Sequence, residues 1–150
     1  MKTRMRWIVS ILLGGIFCCL FLSLVYAKGN EKILVSVIIA SNEGTDFNLD
    51  NDAYRDQLIQ LFSYRSYEQK NQQIVNLSKA EHKIIPLMDD YEMVLTLQGE
   101  EKERIMIQAL IRKGNVQYVN TVLSIMKNGV VFIGGPTIGK NALIVALERR

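Results

Sequence analysis

Residues 119–146 read VNTVLSIMKNGVVFIGGPTIGKNALIVA, and this stretch decides the fold class. Two apolar runs rich in β-branched residues flank Asn128 and Gly129, and Asn-Gly between such runs is the strongest short signal for a β-hairpin. The pattern therefore predicts a closing hairpin whose strands are Val116–Met126 and Val130–Ile133, with Asn128 and Gly129 as its structural turn.

The second of these strands is expected to stop at Gly134-Gly135-Pro136, because proline cannot donate a hydrogen bond to a β-ladder. Beyond it, Ala142–Leu147 is apolar and fits either a strand or a helix, although Ile144 and Val145 favour a strand. The whole segment is thus predicted to form the hydrophobic centre of a small antiparallel β domain.

Upstream, the apolar run Ile33–Ala40 is too short for an independent helix and predicts a buried strand. A helix is predicted over Asp52–Tyr64, with Asp50 or Asn51 as its N-cap. Its apolar positions share the spacing of one helical face. They are Tyr54, Leu58, Leu61 and Phe62.

After the helix the hydrophobic period changes to two, which is typical of strands with one buried face. The predicted strands are Tyr67–Leu77, Lys83–Leu87, Glu92–Leu97 and Arg104–Ile111. The last two flank the polar loop Gln98–Glu103 and suit a hairpin. Pro86 indicates an edge or a bulge position, and Asp89-Asp90 and Gly114-Asn115 mark turns. This order of elements predicts an α+β fold, mainly an antiparallel β-sheet or sandwich with one packed helix.

The N-terminus predicts export. Three basic residues in positions 1–6 precede the uncharged, mostly apolar run Trp7–Ala27. A basic start, an apolar run and a small residue at its end are features of a signal peptide. Because about 20 apolar residues can also span a bilayer, residues 1–27 are either a cleaved signal peptide or an uncleaved signal-anchor helix.

Residues 28–150 are accordingly expected to be a single exported β-rich domain. The expected location is the periplasm or the extracellular space, or the outer side of the inner membrane if the signal is uncleaved. Membrane contact is expected only through residues 7–27, and only in the uncleaved form.

Charge and cysteine content limit the chemistry of the exported part. The chain has 18 basic residues; without the three before Trp7 there are 15, which the 15 acidic residues balance. A neutral domain has no long-range attraction for nucleic acid, so no such partner is expected. Both cysteines, Cys18 and Cys19, lie in the predicted targeting segment, which leaves the exported part without disulfides or thiol sites.

Residues 134–141 match the G-x-x-x-x-G-K pattern of a phosphate-binding loop and follow an apolar strand. Asn141, however, stands where Ser or Thr would ligate magnesium, and only nine residues follow it. We therefore interpret the segment as a glycine-rich turn and expect no nucleotide or other cofactor.

Four oxygen-bearing residues before the helix alternate as D-x-N-x-D-x-D, which resembles the first half of a calcium-binding loop. They are Asp46, Asn48, Asp50 and Asp52. Asn51 replaces the usual glycine and Gln57 the usual bidentate Glu, so these calcium candidates have an incomplete ligand set. The alternative is a loop whose Asn and Asp side chains form turns and a helix cap.

His82 is the only histidine, with Ser78 and Glu81 near it in sequence. A general base needs an oriented partner and a nucleophile, and closeness along the chain does not supply that geometry. We interpret His82 as a surface residue. With one histidine and no exported cysteine, a zinc site of the usual type is not expected.

Val119–Val122 and Met126–Gly135 are similar to part of the bacterial secretin domain, in which a T-x-V strand precedes an N-G or D-G turn and an apolar strand ending in Gly-Gly. Ile84–Leu87 and Met93–Leu97 follow the same order loosely. The resemblance covers about a third of the chain and departs at Pro136, and the strands that would complete a membrane pore are missing.

The layout of signal, strand, helix, strands and G-G-P also resembles small exported bacterial proteins without an assigned activity. Together these resemblances imply an accessory role in the cell envelope or in secretion.

The leading expectation is a non-enzymatic exported cell-envelope protein that acts as a protein-interaction or structural accessory module. Its partner would be another envelope protein or a second copy, bound by pairing of edge strands. One candidate contact surface is Tyr67–Leu77. The other is the segment that contains Gly134, Gly135, Pro136, Gly139 and Lys140.

Two alternatives stay open. The first is a periplasmic small-ligand-binding protein with a pocket between the predicted helix and the sheet. Its groove would be lined by Tyr54, Tyr64, Tyr67 and Tyr91, which otherwise belong to an aromatic core. The second is a hydrolase that uses His82.

Overall fold

Two β-sheets and one short helix account for the regular structure in the computed structural model, which describes residues 30–150. The strands are β1 (Asn30–Ser41), β2 (Phe47–Asn48), β3 (Ser66–Ser78), β4 (His82–Pro86), β5 (Glu92–Glu101), β6 (Arg104–Lys113), β7 (Val116–Met126), β8 (Val130–Ile138) and β9 (Asn141–Arg149). The helix, α1 (Ala53–Leu61), lies between β2 and β3 in the chain. The predicted targeting segment 1–27 lies outside the described residues.

One sheet has five strands in the order β2-β3-β1-β9-β8, and the other has four in the order β4-β5-β6-β7. Among the described strands every pairing within a sheet is antiparallel except the two-residue contact of β2 with β3. The prediction of a mainly antiparallel β structure with one short helix is confirmed. Within residues 30–150, no helix has the length and apolar character needed to cross a membrane.

The main core lies between the two sheets. The five-stranded sheet contributes alternate residues of its central strands, including Val35 and Val145, and the four-stranded sheet contributes residues such as Leu95 and Ile107. This is the period-two pattern that the sequence predicted for β5 and β6, and it places one face of each strand in the core.

β1 is buried on both faces, which explains why its sequence is apolar without alternation. All eight residues of Ile33–Ala40 are buried. Val35 and Val37 face the other sheet, whereas Ile38 and Ala40 pack in a second cluster with the helix. The predicted buried strand is therefore confirmed, and its two-sided burial requires a third layer.

The third layer is α1, which places Tyr54 and Leu58 on the outer face of the five-stranded sheet. The predicted helix Asp52–Tyr64 is too long, since Phe62 already has an extended backbone. Leu61, predicted to face the core, is 61% exposed.

A side chain close in sequence caps the N-terminus of the helix. The backbone N–H of Ala53 donates to Asn51 Oδ1 at 3.1 Å, whereas Asp52, at the N-cap position, makes no side-chain capping bond. Of the two predicted caps, Asn51 is therefore the one that the structure supports.

The predicted closing hairpin is wrong, because β7 and β8 belong to different sheets. Lys127–Gly129 carries the chain from one sheet to the other, with Asn128 at φ 58 and the N–H of Gly129 donating to the Met126 carbonyl at 2.9 Å. β7 has exposed Asn120 and Ser124 on one face and suits the sheet whose outer face is open. β8 has Phe132 against the helix cluster and Ile133 in the main core, so it suits the sheet covered on both sides.

β8 also does not stop at Gly134-Gly135-Pro136 as predicted. It continues to Ile138 with a register shift between Gly134 and Thr137, and it pairs with β9 across the turn Gly139-Lys140. Pro136 is tolerated because β8 is an edge strand and the proline lies in the irregular part of its ladder. The ambiguous segment Ala142–Leu147 is a strand, within β9.

The remaining strand predictions agree closely with the structure. β3 and β4 match the predicted Tyr67–Leu77 and Lys83–Leu87, and β4 is an edge strand as Pro86 indicated. β5 and β6 form the predicted hairpin, but the loop is shorter than Gln98–Glu103, since both strands extend to a two-residue turn at Lys102 and Glu103.

Candidate interaction edges

A strand at the end of a sheet leaves one row of backbone N–H and C=O groups outside the ladder, and such a row can pair with another chain. Two of the edges are unsuited to this. β4 is only five residues long and ends at Pro86, and β8 contains Pro136 and a register shift. Proline and irregular pairing both oppose strand addition, so β3 and β7 are the open edges.

β3 is covered over only two of its residues. β2 pairs with Tyr67 and Glu68, and within residues 30–150 the following Gln69–Ser78 pairs only with β1. The register with β1 shifts beside Lys70, and Lys70 Nζ lies 2.5 Å from Glu68 Oε2. Beyond this pair the free edge carries no charge, and Ile74 on it is 59% exposed.

β7 is the edge strand with the fewest residues that oppose pairing with another strand. Its eleven residues, VQYVNTVLSIM, contain no charged residue and no proline. In the part of the chain that the structure describes, eight large apolar side chains are exposed, and β7 supplies four of them. They are Val116, Tyr118, Val122 and Met126.

Sequence reasoning missed β7 as an edge. The predicted hairpin gave β7 a second partner in β8, which would have left its backbone fully paired. No local signal marked it as an edge, because edge strands usually carry charged residues or proline and residues 116–126 carry neither.

The outer face of the four-stranded sheet is not covered by any described element. It holds a shallow concavity of about 310 Å³. The lining residues are His82, Ile84, Val94, Thr96, Gln108, Leu110 and Arg112. A larger open concavity of about 830 Å³ lies at the β5–β6 turn and includes Arg104, Met106 and Met126.

His82 is an exposed residue at the start of β4. Its Nδ1 lies 2.7 Å from Thr96 Oγ1 on the adjacent strand. Ser78 Oγ instead donates to Asn30 Oδ1 at 2.7 Å, and Glu81 is 2.6 Å from Lys83 Nζ. His82 and Ser78 therefore have different hydrogen-bond partners and do not form a base–nucleophile pair with each other.

The glycine-rich segment has a packing function. A Cβ on Gly134 would lie 3.2 Å from Phe62 Cε1, and one on Gly135 would lie 3.2 Å from the Leu143 carbonyl oxygen. The segment is strand, turn and strand, so it lacks the helix N-terminus that a phosphate-binding loop needs.

Among the predicted contact candidates, Gly139 and Lys140 form the exposed tip of the β8–β9 hairpin. Lys140 Nζ lies 3.6 Å from Glu43 Oε1, with both side chains exposed. Pro136 and the two glycines lie within the edge strand β8.

The four calcium candidates are spread along the chain between β1 and α1. Asp46 and Asn48 line a concavity of about 470 Å³ with Glu43 and Glu68. Asp50 accepts a hydrogen bond from Gln69 Nε2. Among residues 30–150, no group of three or more Asp, Glu, His or Cys side chains is arranged to hold a metal ion.

The tyrosines do not line one groove. Tyr54, Tyr64 and Tyr67 belong to the helix cluster, whereas Tyr91 belongs to the main core. Tyr67 Oη donates to the Phe62 carbonyl at 2.7 Å, and Tyr54 Oη donates to Glu148 Oε2 at 2.6 Å. The space between helix and sheet is filled by these rings and by Phe132, which meets Tyr54 edge-on at 5.2 Å.

Comparison of the chain with protein-family models, with curated proteins and with solved structures finds no match.

Proposed function

We propose that this chain is a non-enzymatic, exported cell-envelope protein that binds another envelope protein by adding a strand of that partner to β3. The observation that carries the proposal is the open edge Gln69–Ser78, which is ten residues long and has no second partner within the described chain. Strand addition of this kind uses main-chain hydrogen bonds for affinity and alternate side chains for specificity.

Part of the outer edge of β3 already pairs with a strand of this chain. β2 pairs there in parallel at Tyr67 and Glu68, and the chain then turns away toward α1. An incoming segment would continue in the same position along Gln69–Ser78, a length of roughly 33 Å at about 3.3 Å per residue. Exposed Ile74 supplies an apolar contact near the middle of this edge.

Export rests on the basic start and the apolar run of residues 1–27. In this proposal residues 28–150 act in the periplasm or outside the cell, or at the outer side of the inner membrane if the signal is retained. The similarity of Val119–Val122 and Met126–Gly135 to the secretin domain supports a secretion-associated accessory role.

The β3 edge can be tested with one charge substitution. Ile74→Lys places a cation on the edge, which opposes pairing with another strand. Ile59→Lys is the matched control, since Ile59 is 48% exposed on α1 and away from any edge. Both variants and the wild type are cross-linked in intact cells and the attached proteins are identified.

We expect the wild type and Ile59→Lys to give the same cross-linked partner. In Ile74→Lys the yield of that cross-linked product should fall at least tenfold. A partner that is retained by Ile74→Lys, or a wild type that cross-links to no other protein, would contradict the proposal. Export is measured separately with a reporter enzyme fused after Arg150 that is active only outside the cytoplasm. An inactive reporter would refute the proposed export.

A further inference from the structure

We infer that β7 pairs with the β7 strand of a second copy of this chain, antiparallel about a two-fold axis. The two four-stranded sheets would then form one continuous eight-stranded sheet. This pairing uses a different edge from β3, so it does not depend on the partner proposed above.

The first argument is the contrast among the edges. β4 ends at Pro86 and β8 contains Pro136, and proline is one of the features by which proteins prevent edge-to-edge association. β3 is already paired with β2 at Tyr67 and Glu68, so among the described long edges without proline β7 is the one open along its whole length. β7 has a register shift near Gln117, but its remaining residues, Val119–Met126, pair regularly with β6 and carry none of these features.

The second argument is the distribution of exposed apolar surface. Four of the eight large apolar side chains exposed among residues 30–150 lie on β7. Two of them, Val122 and Met126, lie on the regular part of the strand, 48% and 49% exposed. A second strand beside β7 would cover part of this apolar surface, so the dimer would gain from these side chains as well as from the backbone.

The third argument is self-complementarity, which a two-fold interface requires. With the axis at Thr121, Val119 lies opposite the partner copy's Leu123, and Asn120 lies opposite its Val122. The apolar inner residues therefore meet apolar residues, and no charge meets a like charge.

Nearby cations do not oppose this arrangement. Arg104 is paired with Met126, and Lys113 with Val116, on the adjacent strand β6. Across the dimer these two cations are three strand spacings apart, or about 14 Å at about 4.8 Å per strand. That distance exceeds the Debye length of about 8 Å at physiological salt.

The partner is a second copy because the edge is neutral and matches itself, with no charge that would select a different chain. A single pair of β7 strands buries less area than a permanent dimer interface. We therefore expect a dimer that dissociates on dilution, with a Kd on the order of 1 µM to 100 µM.

The decisive experiment is site-specific cross-linking of the full chain in mild detergent. Thr121→Cys is introduced with Cys18→Ser and Cys19→Ser, which leaves one cysteine. Directly opposite residues on antiparallel strands have Cβ atoms about 4.5–5.5 Å apart, close enough for a disulfide after small adjustment. Ile74→Cys in the same background is the control on the other open edge.

We expect oxidation to convert most of the Thr121→Cys protein to a covalent dimer and to leave Ile74→Cys mainly monomeric. Equal cross-linking of both variants, or none for Thr121→Cys, would overturn the inferred pairing.

Sedimentation provides an independent readout. Wild type and Ile74→Lys should show a concentration-dependent dimer, and Val122→Lys should be monomeric with unchanged circular dichroism. A wild type that stays monomeric at 100 µM, or a Val122→Lys variant that dimerises like the wild type, would overturn the inference. Because Ile74→Lys tests β3 and Val122→Lys tests β7, failure of one proposal is distinguishable from failure of the other.

Discussion

Arg149 is the only charged residue that the structure buries among residues 30–150, with 7% of its surface exposed. Its guanidinium lies 2.7 Å and 3.0 Å from the two Glu31 oxygens, and it also donates to the Glu103 carbonyl at 2.9 Å. Because Glu31 is in the five-stranded sheet and Glu103 in the β5–β6 turn, the side chain connects the two sheets. The hydrogen bond to Glu31 raises the pKa of Arg149 further, so the charge is permanent.

We predict that Arg149→Met lowers the free energy of unfolding by about 3 kcal/mol, since it leaves the Glu31 carboxylate partly buried without its cation. Arg150→Met is the control, because Arg150 is exposed and its pair with Glu148 should contribute about 0–1 kcal/mol. Urea unfolding measures both. Equal effects of the two substitutions would show that Arg149 does not link the sheets.

Ionisation of Tyr54 is expected to lower the stability of the fold at alkaline pH. Burial, reinforced by the hydrogen bond to Glu148, raises the pKa of Tyr54 to about 12. In the unfolded chain the phenol ionises near its ordinary pKa of about 10. Between these values the unfolded state binds fewer protons, so stability is complete below pH 10 and is lost as the pH rises toward 12.

Accordingly, we expect the urea midpoint of the wild type to fall between pH 10 and pH 12. Tyr54→Phe should fall less steeply over the same range, with some slope left because burial also raises the pKa of Tyr67. The measurement is a series of unfolding curves from pH 9 upward. Parallel pH profiles for wild type and variant would exclude Tyr54 as the cause.

At the scale of elements, α1 is held by two buried side chains, Tyr54 and Leu58. Leu58→Ala removes a fully buried side chain and should cost about 2–5 kcal/mol. Leu61→Ala, on the exposed side of the last turn, should change stability by no more than about 0.5 kcal/mol. Thermal or urea unfolding distinguishes these values. A large effect of Leu61→Ala would favour the longer helix that the sequence predicted.

The glycines of β8 permit close packing. Because a Cβ on Gly135 would meet the Leu143 carbonyl oxygen at 3.2 Å and Ile111 Cδ1 at 3.5 Å, Gly135→Ala should destabilise the protein by about 1–3 kcal/mol. Gly99→Ala has no atom within 4 Å of the added Cβ and should be neutral or slightly stabilising. The comparison uses urea midpoints, and equal midpoints for the two variants would contradict the packing function.

Most strands could be predicted from sequence because their chemistry is local. Ile33–Ala40 is apolar on both faces, and Glu92–Leu97 and Arg104–Ile111 alternate, so each pattern indicates its own burial. The assignment of β7 and β8 to sheets could not be predicted, because Asn128-Gly129 fits a hairpin and a crossing between sheets equally well. The β7 edge was hidden by the same ambiguity, since an edge is defined by which strand is absent beside it.

At the scale of the whole molecule, the five-stranded sheet is completed by strands distant in sequence. β1 pairs with β9 from Ile33–Arg149 to Ala40–Ala142, and β8 pairs only with β9 within the described chain. Such non-local pairing is slow to form because the intervening chain must be ordered first.

We predict that deletion of residues 141–150 abolishes the fold, because it removes one neighbour of β1 and the sole neighbour of β8. Deletion of Arg150 alone should leave the structure intact, apart from the bond of its backbone N–H to the Lys32 carbonyl. Circular dichroism and limited proteolysis measure both truncations. A protease-resistant core in the longer deletion would contradict the prediction.

The pairing of β1 with β9 has a consequence for biosynthesis. A nascent chain that has emerged only as far as β8 offers β1 no neighbour on its β9 side and cannot bury Val35 or Ile38 fully. The five-stranded sheet therefore cannot be completed until residues 141–149 become available. For the export that we propose, an unfolded chain of this kind suits passage through a narrow translocation channel.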